Sequence, residues 1–185
     1  MRATQINSAR VLHRDVFPGG GPYLEFYSFH EPIFFPYGAH ARRPQRGSEF
    51  GLFFEFGDDL LGSICGATGL YSPFGPHEET YYVPTLKNFR NRARAEGISV
   101  QRIGDDKVFH RYYGLLCELQ QPIERWRATL AHVHGNSLRR YFKGAYEEYP
   151  GTASLRYDLL ATMDFFLEAI EEANRQGKTI SVIGF

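Results

Sequence analysis

Hydrophobic positions along the chain follow two rhythms, and the change falls near Pro84. Before it, FGLFFEF at 50–56 alternates. Phe50, Leu52, Phe54 and Phe56 fall on one face and Phe53 and Glu55 on the other, which is the period of a β-strand. YLEFYSF (23–29) and TYYV (80–83) share the aromatic-rich composition of strands. Eleven of the nineteen glycines and seven of the ten prolines precede Pro84. That punctuation suits short strands joined by turns, FPGGGP (17–22) among them. ARRPQRGS (41–48) is predicted to be an exposed basic loop.

After Pro84 the apolar spacing lengthens. PTLKNFRNRARAEG predicts a helix with proline in its first turn and Gly97 as its stop. ISVQRI and KVFHRYYGLLCEL flank GDD at 104–106, the pattern of a hairpin. Pro122 is expected in the first turn of a further helix carrying Ile123, Trp126 and Leu130 at helical spacing. Thr152 is expected to cap the longest helix, whose stripe comprises Leu155, Leu159, Leu160, Met163, Phe166, Leu167 and Ile170. Gly177 should end it, with TISVIGF as a final strand.

These elements predict an α+β fold in a single domain over 1–185, β-rich over 1–83 and helix-rich with a hairpin over 84–185. An antiparallel sheet from the aromatic N-terminal half is expected to pack against the C-terminal helices, covered mainly on one side. The pattern shows no alternating βαβ units, which argues against a doubly wound parallel sheet.

Composition narrows the class. The chain has 185 residues, enough to bury a core without disulfides. Twenty-one basic residues balance twenty-one acidic ones, so no global field favours nucleic acid or anionic lipid. Neither a secretory h-region nor a run of about twenty apolar residues occurs, so a soluble, cytoplasmic protein without a membrane partner is expected. Cys65 and Cys117 sit among apolar residues and are expected to be free and buried.

Motifs for chemistry are sparse. His132 and His134 have His-x-His spacing, but residues two apart on a helix diverge by about 200°. A histidine closing a helix instead meets the negative end of its dipole. His30, His40 and His77 lie near Glu31 and Glu78, yet no spacing fixes a ligand set, so neither a metal nor a cofactor is expected. GSICG (62–66) does not match a nucleophile elbow, and GGG (19–21) precedes no helix that would cradle phosphate.

Arg14, Ser48 and Glu79 occur in that order, each beside a β-like run. In this the chain is similar to the arginine-serine-glutamate ADP-ribosyltransferases. The resemblance implies an arginine on the NAD phosphate and a glutamate on the ribose. The full serine motif is absent, the spacing is compressed, and the chain continues well past Glu79.

Charge is locally uneven. Lys87, Arg90, Arg92, Arg94 and Arg102 face Glu96 alone between 85 and 102, whereas seven acids oppose two arginines between 144 and 176. The stretch FYSFHEPIFFPYGAH (26–40) combines six aromatics with two histidines. Its first residues suit a strand with one buried face, leaving Tyr37 and His40 on a projecting loop.

The leading expectation is therefore a non-catalytic binding protein, specifically a bacterial toxin-immunity protein that covers the active surface of a protein partner. Its contacts are expected at Tyr37, His40, Arg42, Arg43, Arg46, His77 and Glu78. The acidic helix with Asp158, Asp164, Glu168 and Glu171 is the alternative dock. The alternative functions are a small enzyme with a noncontiguous N-terminal site, a metal-dependent hydrolase or ADP-ribosyltransferase-like, and a nucleic-acid-associated regulator using the 87–102 patch.

Overall fold

Aromatic alternation and helical stripes build two kinds of structure here. A computed structural model describes residues 23–30, 52–74, 79–95, 103–105, 109–143, 149 and 151–184. In chain order the strands are β1 (Tyr23–Phe29), β2 (Leu52–Gly57), β3 (Glu79–Val83), β4 (Ile103–Asp105), β5 (Phe109–Leu115) and β6 (Thr179–Gly184). The described helices are α1 (Asp58–Thr68), α2 (Leu86–Ala95), α3 (Leu116–His132), α4 (Gly135–Tyr141) and α5 (Thr152–Arg175). The architecture is α+β.

The chain divides into two compact units. The first comprises Met1–Leu24, Phe54–Pro73 and Gln120–Ala169, and its described part is mainly helical. In α3, Ile123, Trp126 and Leu130 are buried at helical spacing. In α5 the buried stripe is Leu155, Leu159, Met163 and Phe166, widened by Phe165, while Leu160 and Leu167 are only half-buried.

Short helices complete this unit. Tyr141 on α4 covers α1 at Gly66, where an added Cβ would lie 2.4 Å from the ring. Ser63 donates to the Tyr141 carbonyl at 2.7 Å. Gly69 closes α1 with φ +69°, its N–H reaching the Cys65 carbonyl at 2.8 Å.

The second unit, Glu25–Phe53, Phe74–Leu119 and Ile170–Phe185, carries most of the sheet. Strand order is β2-β1-β6-β3-β5-β4. β3 runs antiparallel to β6, with Tyr81 opposite Ser181, and β4 runs antiparallel to β5. β3 and β5 are parallel, pairing Tyr82 with Gly114. The expected antiparallel sheet is thus a mixed one. The connection from β3 to β5 contains α2, which packs on both strands, so a helical crossover does occur.

One-sided covering also fails at the sheet centre. Thr80, Tyr81, Tyr82 and Val83 on β3 are all buried, as are Thr179, Ile180, Ser181 and Val182 on β6. Phe26 and Tyr27, adjacent on β1 and therefore on opposite faces, are both buried too. The aromatic stretch accordingly begins as a strand enclosed on both sides. Phe26 meets Phe74 edge-on at 4.9 Å, and the Thr80 hydroxyl donates to the Phe74 carbonyl at 3.2 Å.

Boundaries moved where a cap decides them. Gly104 and Asp105, expected in a turn, instead lie in β4 and pair with His110 and Phe109. α3 starts at Leu116 rather than near Pro122, which lies inside the helix. The Glu118 carboxylate accepts the Leu115 N–H at 2.8 Å, the returning half of a capping box. Thr85 accepts the Asn88 N–H and starts α2. α5 ends at Gly177, with φ +63°, and Lys178 donates to the Ala173 carbonyl at 2.7 Å in a Schellman arrangement.

Candidate functional site: the exposed face of the long helix

Residues seven and eleven positions apart return to within about 20° of the same direction on an α-helix. Tyr157, Asp164 and Glu168 are so spaced, opposite the apolar stripe of α5. Tyr157 is 73% exposed. Glu168 is exposed and makes no ion pair among the described residues.

Two acids on this helix have internal work. Arg127 on α3 grips Asp164, with Nε on one carboxylate oxygen and Nη2 on the other at 3.1 Å. This bond holds the guanidinium firmly charged and fixes α5 against α3. The Tyr149 hydroxyl donates to Asp158 at 2.9 Å. Arg156 donates to the Val133 carbonyl just beyond the end of α3, where cationic charge complements the helix dipole. Of the four acids expected to form a dock, Glu168 and Glu171 are exposed, whereas Asp158 and Asp164 are half-buried and engaged.

The other expected contacts, Tyr37, His40, Arg42, Arg43, Arg46, His77 and Glu78, lie outside the described residues. Arg14 and Ser48 do as well, while Glu79 opens β3. His30 is exposed at the end of β1. Lys87 and Arg90 are exposed on α2.

His132 and His134 are not both on one helix end. His132 is the last residue of α3, and His134 caps α4, its Nδ1 accepting the Asn136 N–H at 3.2 Å. Among the described residues, no group of three or more His, Cys, Asp or Glu side chains is arranged to hold a metal ion.

The cysteines differ from each other. Cys65 is half-buried, and burial pushes its thiol pKa up, away from the thiolate form a nucleophile needs. Cys117 is exposed, contrary to expectation. Because α3 begins at Leu116, the buried stripe runs through Leu116, Leu119 and Ile123, and Cys117 falls beside it.

Tyr157 was absent from the contacts expected from sequence, although its signal was present. Two residues beyond Leu155 and two before Leu159, it occupies the polar side of a strongly periodic helix. No described helix is long and apolar enough to cross a membrane. Comparison with known proteins finds no matching family model, no matching curated protein and no matching solved structure.

Proposed function

We propose that this chain is a non-catalytic binding protein that docks the exposed face of α5 on a basic protein surface, as a bacterial toxin-immunity protein covers its toxin. The observation that carries this reading is Tyr157, 73% exposed and in line with Glu168. A tyrosine brings a large, rigid contact area with little ordering cost, and such residues are common binding hot spots. Exposed carboxylates alongside it favour a cationic partner and speed encounter. Asp164, on the same face, is already bound to Arg127, which leaves the exposed Glu168 and Glu171 to meet a cationic partner.

The 30–46 loop, with Tyr37 and Arg43, is proposed as a second point of contact. Its prolines would restrict the backbone and lower the cost of ordering.

The test measures binding to the product of the neighbouring gene in the source genome. Tyr157→Ala should weaken it by at least about thirtyfold, the equivalent of a 2 kcal/mol hot spot. Glu168→Lys should weaken it further at low salt than at high salt. Wild-type affinity in both variants, with the fold intact, excludes this face. Loss with Arg43→Ala alone transfers the dock to the loop.

A further inference from the structure

β6 lies within the sheet, between β1 and β3, and carries two hydroxyls where an enclosed strand ordinarily carries aliphatic side chains. Thr179 and Ser181 are both 0% exposed. Being two apart on a strand, they point to the same side, away from Ile180 and Val182. Ser181 is paired across the ladder with Tyr81, itself fully buried. Among the described residues, neither the Thr179 Oγ1 nor the Ser181 Oγ has a hydrogen-bond partner.

Each hydroxyl has one proton to donate and two lone pairs, and buried groups of this kind are nearly always bonded. They cannot satisfy each other, because alternate residues of a strand are about 6.7 Å apart along the chain. Side chains two apart on one face of a strand can lean toward each other, and one small molecule can join oxygens up to about 5.6 Å apart, twice an ordinary hydrogen-bond length. An ion would require a charged partner, and neither residue is charged.

We propose that Thr179 and Ser181 jointly hold an ordered internal water on the inner face of β6. Such a molecule belongs to the native state and is costly to remove, in contrast to surface hydration. It would make the paired hydroxyls a single stabilising device. It also accounts for a Thr-x-Ser pattern in a strand otherwise suited to Val or Ile.

The test compares thermal unfolding of the wild-type protein with Thr179→Val, Ser181→Ala and the double variant. If the water is held jointly, each single change lowers Tm by about 2–4 °C. The double change should then fall little further, because either one releases the same molecule. A high-resolution crystal structure of the unaltered protein should show a water within hydrogen-bond distance of both oxygens. Unchanged or raised Tm in both single variants overturns the proposal, as do fully additive losses. Should the variants fail to fold, the absence of that water from the wild-type crystal overturns it alone.

Discussion

Arg127 on α3 and Asp164 on α5 form a forked ion pair between helices, the two side chains remaining 43% and 44% exposed. Exposure sets its worth. Water screens both charges, so even bidentate geometry should contribute no more than about 1 kcal/mol. A double-mutant cycle with Arg127→Ala and Asp164→Ala should give a coupling of about 0.5–1 kcal/mol that shrinks in molar salt. A coupling several times larger would mean the pair is dry. Asp164 is consequently a poor probe of partner binding, since changing it also loosens a helix contact.

Gly66→Ala should destabilise, although alanine is the better helix former by about 1 kcal/mol. The new methyl would lie 2.4 Å from the Tyr141 ring, which must swing away from α1. Overpacking of this kind typically costs about 1–3 kcal/mol. Tyr141→Ala should erase the penalty in the double variant. A higher Tm for Gly66→Ala alone would show that the ring does not rest there.

Stability should fall above about pH 10, and Tyr82 should account for part of the loss. Burial first, and the nearby Glu118 carboxylate second, push its phenol pKa well above the ordinary value of 10.0. The folded state therefore retains a proton that the unfolded chain releases once the pH exceeds about 10. Its contribution is full below that pH and declines as pH rises toward the folded-state value. Denaturant titrations of Tyr82→Phe and wild type at pH 8 and 10.5 should show a smaller alkaline loss in the variant. Equal losses would assign the effect to other groups.

Cys117 should react with an aromatic disulfide reagent within the mixing period, and Cys65 far more slowly. Cys117 is exposed, whereas Cys65 is half-buried and held toward the thiol form. Cys117→Ser should remove the fast phase and leave the slow one. Two fast thiols would place Cys65 in solvent.

Legibility in the sequence followed the reach of the signal. α5 was visible because its stripe recurs from Leu155 to Ile170 and Gly177 supplies the residue best suited to a positive φ. The β4–β5 hairpin was visible as two short runs around a turn. By contrast, the parallel pairing of β3 with β5 depends on which strands meet, and periodicity does not encode partners.

No helix was expected over 58–68, where Gly62 and Gly66 weaken the helical signal. At Gly66 the Tyr141 ring occupies the space a side chain would take. β5 and α3 abut without a glycine or proline between them, so the boundary rested on Glu118 alone. For the candidate dock, charge was legible from composition. Engagement was not, since nothing local announces that Arg127 occupies Asp164.

The position of β6 has a kinetic consequence. β1 is complete by residue 29 and β3 by residue 83, yet residues 179–184 separate them in the sheet. During synthesis the two earlier strands must therefore wait nearly a hundred further residues for the strand that joins them. Contacts so distant in sequence slow folding and prolong the life of unpaired strand edges. The first unit also closes late, since its share of α5 ends at Ala169, ten residues before β6 begins at Thr179. On a translating ribosome, protease resistance should therefore appear late in both units, close to the emergence of the last strand.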